Sequence, residues 1–304
     1  MGLGAKPPLN KFMRIIDIKR FAVHDGDGIR TTLFLKGCSL KCVWCHNPEG
    51  ISFEPQLSYL KDKCINCGEC VSVCPNNAHG IENGFHTFDR DKCIGCGKCE
   101  DVCLGEALKL YGKEMSVDEA LEILLEDKEF YENSGGGVTI SGGECLCHFE
   151  FCRELLKKLK DNGIHTAVDT CGMVSKKAID EVLPYTDIFL YDIKAVDEDV
   201  HKKCTGQSNK QILENIKYID SLGKPIEVRY PYVPGYNSCE VEAIAEFLSG
   251  LKNLTKVRVL AYHNFAGSKY NSLDMENTLP ETVPEEAEVE NVRNIIRNYG
   301  ITVM

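Results

Sequence analysis

The sequence has no run of about eighteen apolar residues, the length that a membrane-spanning helix requires. It shows no apolar signal region, and Lys6 stands where an N-myristoylation signal carries Ser or Thr. Positively charged residues are outnumbered: the chain has 35 Lys and Arg against 46 Asp and Glu, a formal net charge of −11. The charged residues do not form a long block of one sign. We therefore expect a cytoplasmic protein without a nucleic-acid or membrane partner.

Cysteine, in contrast, is abundant, with 17 in 304 residues. In a small secreted protein this number would indicate a disulfide scaffold, but here the cysteines fall in CxxC and CxxxC runs without a secretory signal. They are better explained as reduced thiols that bind metal. A composition of 43% hydrophobic and 27% charged residues is typical of a soluble globular protein with room for one large and one small domain.

The first cysteine group is Cys38, Cys42 and Cys45, at CxxxCxxC spacing. An iron–sulfur cube is normally held by four thiolates, so three ligands would leave one iron open. A metal site that does chemistry keeps an open position for its substrate, whereas a structural or electron-transfer site is closed. The alternative, three buried small residues, does not require this spacing. We therefore predict a catalytic [4Fe-4S] cluster at these three cysteines.

Two further groups of four cysteines follow the C-x2-C-x2-C-x3-C spacing of bacterial ferredoxins, 29 residues apart. In that arrangement the fourth cysteine of each run binds the other cluster. The predicted ligand sets are Cys64, Cys67, Cys70 and Cys103 for one cluster and Cys74, Cys93, Cys96 and Cys99 for the other. Structural zinc sites are the alternative, since CxxC also suits tetrahedral zinc. The spacing favours a ferredoxin-like insert with two [4Fe-4S] clusters over residues 59–111.

The rest of the chain alternates between short β-branched runs and amphipathic stretches. Strands are predicted at 31–36, 137–141, 164–169, 187–192, 226–232 and 257–262. Helices are predicted at 116–130, 149–162, 175–183, 208–222, 239–251 and 285–299. Ser116 and Glu119 form a capping-box pattern, and Gly163, Gly223 and Gly300 stand where helices should end. The alternation predicts an α/β fold, a partial (β/α)6 TIM-type barrel over residues 14–58 and 112–304, interrupted by the insert.

Polar residues follow the predicted strands at their carboxyl ends, where ligands of parallel sheets bind. They are Gly142-Gly143-Glu144, Asp169-Thr170, Asp192-Ile193-Lys194, Arg229 and His263. Such residues are often only solvated turns, and a lone histidine after a strand is often structural. Their common position at the ends of several strands nevertheless predicts one binding site.

In their order along the chain, these motifs resemble those of the glycyl radical enzyme activating enzymes of the radical SAM superfamily. The motifs are His24-Asp25-Gly26-Asp27-Gly28-Ile29-Arg30, CxxxCxxC followed by His46-Asn47-Pro48, Gly142-Gly143-Glu144, Asp169-Thr170-Cys171-Gly172, Tyr191-Asp192-Ile193-Lys194, Val228-Arg229-Tyr230 and Tyr262-His263. The resemblance covers nearly the whole chain, and the insert is similar to that of the longer members. Asp27 and Cys145 replace the prolines of the usual DGPG and GGEP motifs.

The resemblance implies S-adenosylmethionine as the cofactor, chelated by the open iron. Its predicted contacts are Trp44, Gly142, Gly143, Glu144, Asp169, Asp192, Lys194, Arg229 and His263. Glu144 would accept from the cofactor's ammonium group. A monovalent cation, Na⁺ or K⁺, would bind Asp169, Thr170, Asp192 and the carbonyl of Leu190. The remaining cysteines are interpreted as buried small residues and are Cys145, Cys147, Cys152, Cys171, Cys204 and Cys239.

The resemblance also implies an oxidoreductase that reductively cleaves S-adenosylmethionine to a 5′-deoxyadenosyl radical and abstracts hydrogen from a backbone glycine of a partner enzyme. Asp25, Gly26, Gly28 and Arg30 would receive the partner's loop. Flavodoxin or ferredoxin is the expected electron donor, and a monomer in an anaerobic cytoplasm is expected. Two alternatives remain from the sequence: a radical SAM enzyme with a different substrate, and an iron–sulfur electron-transfer protein.

Overall fold

The computed structural model describes residues 12–304. Its strands are β1 (Phe12–Ala22), β2 (Arg30–Leu35), β3 (Gln56–Tyr59), β4 (His79–Glu82), β5 (Phe85–Phe88), β6 (Leu108–Tyr111), β7 (Lys113–Ser116), β8 (Gly137–Gly142), β9 (Thr166–Thr170), β10 (Ile188–Asp192), β11 (Ile226–Tyr232) and β12 (Leu254–Ala261). Its α-helices are α1 (Glu69–Val73), α2 (Lys98–Asp101), α3 (Val117–Leu125), α4 (Lys128–Ser134), α5 (Phe149–Asp161), α6 (Lys176–Val182), α7 (Glu198–Thr205), α8 (Lys210–Ser221), α9 (Val241–Ser249), α10 (Gly267–Leu273) and α11 (Glu286–Asn298). Among these residues, no helix combines the length and the apolar character needed to cross a bilayer.

Eight strands form one sheet in the order β12-β11-β10-β9-β8-β2-β1-β7. The six strands from β12 to β2 are parallel, which confirms the six strands predicted from the sequence. β1 runs antiparallel to both β2 and β7 at the other side of the sheet. The sequence analysis missed β1 and β7, because buried and exposed residues do not alternate regularly along β1.

The sheet is open, with β12 at one edge and β7 at the other. It is also strongly curved, since Asp17 and Lys19 of β1 line the same cavity as Leu260 of β12. The architecture is therefore a partial barrel whose two ends approach each other without pairing. This curvature places the carboxyl ends of the parallel strands around a shared interior.

The helices that follow the parallel strands bury apolar faces in a single core. On α5, for example, Leu155, Leu156 and Leu159 are fully buried, and each such burial contributes about 1.5–3 kcal/mol. The predicted capping box is confirmed, because the Ser116 hydroxyl accepts from the Glu119 N–H and the Glu119 carboxylate accepts from the Ser116 N–H. The glycines at 163, 223 and 300 adopt left-handed backbone conformations after α5, α8 and α11, as predicted.

One helix prediction is wrong, because residues 116–130 form two helices rather than one. The break lies at Asp127, whose buried carboxylate accepts from the Thr31 hydroxyl at 2.8 Å and from Arg20 at 3.2 Å. These long-range contacts fix the chain between α3 and α4. Helical periodicity along a single segment does not contain this information.

Residues 59–111, called here the cysteine-rich segment, lie between two parts of the barrel sequence. β3 and β6 pair antiparallel at its base, and β4 and β5 form a hairpin within it. A small apolar core separate from that of the barrel contains Leu108, Leu110, Cys70 and Cys99 of the segment and Leu57, which lies just before it. The segment is thus locally organised around its cysteines.

Candidate functional site

A cavity of about 610 Å³, called here the central cavity, lies inside the curve of the sheet. This volume falls within the range of small-molecule sites. The predicted site residues that line it are Asp25, Cys38, Cys42, Trp44, Cys45, Gly142, Gly143, Asp169, Thr170, Asp192, Lys194, Arg229 and His263. Apart from the eight cysteines of the insert, the predicted site residues that do not line it are Gly26, Gly28, Arg30, Glu144 and Leu190. The fold thus brings most of the predicted site together from seven parts of the chain.

The three cysteines of the CxxxCxxC motif lie on a loop, residues 37–47, that is fixed by distant backbone. The N–H of Cys38 donates to the carbonyl of Ile51 at 3.1 Å. The N–H groups of Lys41 and Val43 donate to the last turn of α7, at Thr205 and Cys204, each at 3.0 Å. α7 was not predicted from the sequence, so this support for the cysteine loop appears only in the structure.

Cys38, Cys42 and Cys45 are free thiols that face one cavity. Burial raises the pKa of Cys42 to about 12 and that of Cys45 to about 11, whereas a hydrogen bond from Cys171 lowers the pKa of Cys38. Buried thiolates need a positive group for compensation, and iron supplies one. The donor set therefore fits a cluster with three protein ligands.

Gly142 and Gly143 pack against the start of the cysteine loop. Gly142 has φ +126°, and a Cβ on it would lie 2.1 Å from the carbonyl oxygen of Leu35. A Cβ on Gly143 would lie 2.3 Å from the carbonyl oxygen of Gly37. Any side chain here would push β8 away from the loop, so both glycines are required by close backbone contact as well as by access to the cavity.

Charged residues at three neighbouring strand ends form ion pairs at the wall of the central cavity. Arg229 on β11 contacts Asp169 on β9 at 3.0 Å and donates to the His24 carbonyl at 2.8 Å. Lys194 contacts Asp192 at 2.6 Å. Burial raises the pKa of Asp169 to about 6, although Arg229 opposes this shift. Despite burial, Asp192 raises the pKa of Lys194, so this ammonium stays charged.

Glu144 is fully buried and bonded within the protein. Its carboxylate accepts from the Thr170 hydroxyl at 2.8 Å, from the Cys171 N–H at 2.8 Å and from the Leu146 N–H at 3.0 Å. These bonds join the end of β8 to the end of β9. The structure therefore shows Glu144 as a fixed link behind the cavity wall, and its predicted contact with a cofactor ammonium stays a prediction.

A stack of flat rings forms one rim of the central cavity. The His263 ring lies parallel to His46 at a centroid distance of 4.1 Å, and Phe265 stacks on His263 at 4.7 Å. The Nε2 atom of His46 lies 2.6 Å from the His263 carbonyl oxygen, which holds the pair together. The arrangement joins the residue after Cys45 to the end of the last parallel strand.

Sequence reasoning missed the residues that fasten the cysteine loop to the rest of the barrel. Lys269 on α10 donates to the buried Glu49 carboxylate at 2.6 Å and to the His46 carbonyl at 3.0 Å. The neighbouring Tyr270 donates to the Cys45 carbonyl at 3.0 Å. The short helix α10 has no long amphipathic period, so its sequence gave no signal of this role.

The segment from Asp25 to Arg30 folds against the inner face of the sheet. Asp25 lines the central cavity and accepts from the Thr32 hydroxyl at 2.8 Å. Arg30 is only 1% exposed and donates to the Thr139 hydroxyl and the Val138 carbonyl. Gly28 approaches Gly136 so closely that a Cβ would lie 2.4 Å from its nitrogen. Arg30 and Gly28 thus hold the segment in place, and Asp25 presents its carboxylate to the cavity.

The cysteine-rich segment contains two small cavities. The first cysteine cavity is lined by Cys64, Cys67, Cys70 and Cys103, and the second by Cys74, Cys93, Cys96 and Cys99. These groupings match the crossed ligand sets predicted from the spacing. His86 also lines the first and His79 the second, and burial lowers the pKa of both imidazoles, that of His79 to about 4.

Comparison with known proteins places this site in context. Residues 32–248 match the Radical SAM superfamily. The chain is 41% identical to the trans-4-hydroxy-L-proline dehydratase activating enzyme of Clostridioides difficile, over 92% of this chain and 95% of that protein. It is 38% identical to the choline trimethylamine-lyase activating enzyme of Oleidesulfovibrio alaskensis, over 95% of this chain and 96% of that protein.

Among solved structures, Streptococcus suis SuiB bound to the precursor peptide SuiA superposes with a TM-score of 0.56 at 15% identity. The match covers 86% of this chain and 43% of that one. At this identity the likeness concerns the fold alone.

Proposed function

Because this chain belongs to the radical SAM superfamily and, within it, to the glycyl radical enzyme activating enzymes, we propose that it activates a partner glycyl radical enzyme. The observation that carries the proposal is the arrangement of Cys38, Cys42 and Cys45 as free thiols at the wall of a cavity that also collects the polar strand ends. Cys38, Cys42 and Cys45 would hold a [4Fe-4S] cluster, which would supply the electron for reductive cleavage of S-adenosylmethionine and so allow hydrogen to be taken from a partner glycine.

The protein's own contribution is to bind and orient the cofactor in this cavity. Gly142 and Gly143 expose backbone groups next to the cysteine loop. Lys194 and Arg229 are cations suited to carboxylate or ribose oxygens. The stacked rings of His46 and His263 both line the cavity, and we propose that they contact the adenine ring. Together these groups match the three chemical parts of S-adenosylmethionine.

The gap between the ends of the sheet is the proposed entrance for the partner's glycine loop. The cavity wall includes Asp17 and Lys19 on one side of this gap and Leu260 on the other. Asp25 also lines the cavity, with one carboxylate oxygen bonded to Thr32 and the other 3.4 Å from Arg229. A backbone loop that enters here meets a carboxylate that can accept from its N–H groups. We propose that Gly26, Gly28 and Arg30 act by shaping this segment.

We further propose that the cysteine-rich segment is a ferredoxin-like domain with two [4Fe-4S] clusters, which makes three clusters in the chain. Support comes from the grouping of its eight cysteines around two separate cavities in the crossed pattern of ferredoxins.

Flavodoxin or ferredoxin is the proposed electron donor, and we propose that the protein acts as a monomer. A sodium or potassium ion beside Asp169, Thr170, Asp192 and the Leu190 carbonyl is also proposed, because hard oxygen ligands suit such ions.

The direct test is anaerobic. The purified chain is reconstituted with iron and sulfide, reduced with dithionite and mixed with S-adenosylmethionine, and 5′-deoxyadenosine and iron are quantified together. We expect product, with about twelve irons per chain for three clusters. Fully loaded and reduced protein that forms no product contradicts the proposal and supports an electron carrier.

A second experiment identifies the partner. The reduced enzyme and S-adenosylmethionine are mixed with a glycyl radical enzyme, first with trans-4-hydroxy-L-proline dehydratase and then with choline trimethylamine-lyase, the partners named for the two relatives described above. Electron paramagnetic resonance then detects a glycyl radical in the partner. Cofactor cleavage without a radical in any glycyl radical enzyme supports a radical SAM enzyme with a different substrate.

A further inference from the structure

Two buried histidines lie between the two cysteine cavities. The Nδ1 atom of His79 lies 2.9 Å from the Nε2 atom of His86, and the two rings are partly stacked. His79 lines the second cysteine cavity and His86 lines the first. The hydrogen-bonded pair therefore spans the wall that separates the two cavities.

The surroundings fix both rings. The backbone N–H of His86 donates to the Asn66 side chain at 2.9 Å, and Asn66 stands between two cysteines of the first run. Tyr59 meets the His86 ring edge-on at 4.6 Å, and Phe88 stacks on His79 at 4.9 Å. Neither ring can turn without disturbing the small core of the segment.

The hydrogen bond between the rings leaves one nitrogen of His86 without a partner. Each neutral imidazole carries a single proton, so the pair has two protons for four nitrogens. The Nδ1 atom of His86 is buried and has no hydrogen-bond partner among residues 12–304. Buried polar atoms rarely remain unpaired, which points to a group that binds there in the loaded protein.

Sulfur is the nearest candidate acceptor. The Cys70 thiol and one ring nitrogen from each histidine all lie within 4.8 Å of one another. If His79 Nδ1–H donates to His86 Nε2, then His86 carries its own proton on Nδ1 and can donate it into the first cysteine cavity. The role of His79 is then to select this tautomer.

We propose that His86 donates a hydrogen bond from Nδ1 to a sulfur of the cluster held by Cys64, Cys67, Cys70 and Cys103, and that His79 positions it. This inference rests on the proposed function, specifically on the presence of that cluster. Hydrogen bonds to cluster sulfurs stabilise the reduced, more negative state. The first cluster therefore gains a higher reduction potential than it would have among apolar residues alone.

The test compares two substitutions at one position. His86→Phe keeps a flat ring but removes the donor, whereas His86→Asn retains an N–H donor close to the position of Nδ1. Phe85→Ala, on the same strand but exposed, is the control. Each reconstituted variant is titrated with dithionite at controlled potential, and the reduced clusters are followed by electron paramagnetic resonance.

For His86→Phe we expect about a tenfold lower ratio of reduced to oxidised first cluster at a fixed potential, which corresponds to about 59 mV for one electron. His86→Asn should restore most of this ratio, and Phe85→Ala should leave it unchanged. His79→Phe should lower the ratio in the same direction by a smaller factor. Equal ratios in His86→Phe and the unaltered protein, with equal iron content, overturn the proposal.

A second measurement needs no variant. The protein is labelled with ¹⁵N-histidine, and pulsed electron paramagnetic resonance of the reduced state is recorded in H₂O and D₂O. A ¹⁵N coupling together with an exchangeable deuteron is expected, and the absence of both overturns the inference.

The metal content of the chain is a further check. Stoichiometric zinc with about eight irons per chain indicates a mononuclear metal at Cys70, His79 and His86 and also overturns the inference. Protein that binds only about four irons without zinc contradicts the two-cluster part of the proposed function itself.

Discussion

The central cavity and the cysteine-rich segment both gather cysteines, but they do so in opposite ways. The cysteine loop at 37–47 contributes three thiols to a large cavity whose other walls come from strands far along the chain. In the cysteine-rich segment, each small cavity gathers four thiols from within forty residues, together with local apolar side chains. The first arrangement leaves room for a substrate beside the three thiols, whereas each small cavity is lined by four thiols that would supply every ligand of the proposed cluster.

The two regions also differ in how their cysteines are held in place. The cysteine loop depends on distant supports, namely the end of α7 near Cys204 and the α10 residues Lys269 and Tyr270. The cysteine-rich segment relies mainly on short-range contacts such as the β4–β5 hairpin. The open three-thiol site therefore depends on long-range assembly, whereas the two four-thiol cavities depend mainly on local chain geometry.

The largest expected effect separates the two regions by function. Cys42→Ala should abolish formation of 5′-deoxyadenosine, because the three-thiol site cannot hold its cluster with two ligands. Cys67→Ala should leave a measurable part of the activity with dithionite, because this cysteine belongs to the separate first cavity. Cys239 is exposed, so its interpretation as a buried residue is wrong, and because it lies outside all three cysteine groups Cys239→Ala provides the control. Equal loss in folded Cys42→Ala and Cys67→Ala proteins contradicts a division of roles.

A smaller effect should distinguish long-range from local anchoring. Lys269→Met leaves the buried Glu49 carboxylate unpaired, and we expect it to lower the free energy of unfolding by about 2–4 kcal/mol. The matched substitution in the cysteine-rich segment is Lys92→Met, which breaks an exposed pair with Asp89 and should lower the free energy of unfolding far less, because solvent screens that pair. Denaturant unfolding of the two metal-free proteins measures both values. Similar losses argue against a special role for α10.

The pH dependence of stability tests the electrostatics of the central cavity. Because the pKa of Asp169 rises from 3.8 to about 6 on folding, the folded state binds more protons than the unfolded state between these values. The Asp169 contribution to stability is therefore greatest below about pH 4 and is lost as the pH rises through about 6. Asp169→Asn should gain stability relative to the unaltered protein over this interval, by about 2 kcal/mol. A constant difference across urea titrations from pH 4 to 7 contradicts the shifted pKa.

The smallest expected effect concerns the family proline that Asp27 replaces. Asp27 contacts Lys256 on β12 at 2.5 Å, and Lys256 lowers the pKa of Asp27 through this hydrogen bond. The Asp27 side chain is 71% exposed, so Asp27→Ala should cost less than about 1 kcal/mol in unfolding free energy. Thermal unfolding at low and high salt measures the loss, which should vanish at high salt. A larger, salt-independent loss indicates that Asp27 fixes the backbone rather than a surface ion pair.

Much of the fold could be predicted from local patterns in the sequence. The six parallel strands were predictable because buried β-branched runs alternate with amphipathic helices, and Gly163, Gly223 and Gly300 end helices by their own backbone preference. Strand β1 was missed because its buried and exposed residues do not alternate regularly, and β7 was missed because it pairs with residues of β1 that lie far away in sequence. The break at Asp127 was missed for the same reason.

The sequence predicted which residues form the candidate site better than it predicted the hydrogen bonds that they make. The residues of the predicted binding site reach the central cavity with few exceptions, because the ends of parallel strands meet at one edge of the sheet. Glu144 is one of the exceptions, because hydrogen bonds to Thr170 and Cys171 hold its carboxylate behind the wall of the central cavity. Position after a strand does not reveal which way a side chain turns.

The sequence by itself determined the metal chemistry, because cluster ligation depends on short spacings that the chain carries unchanged into any fold, as in CxxxCxxC from Cys38 to Cys45. It also determined the alternation of strands and helices. Only the tertiary structure decided which distant groups meet: Arg229 with Asp169, His46 with His263, Lys269 with Glu49, and the two cysteine cavities with the pair of histidines between them. The physical reason is that periodicity records the neighbours of a residue along the chain, whereas packing of curved sheet, loop and helix sets its neighbours in space.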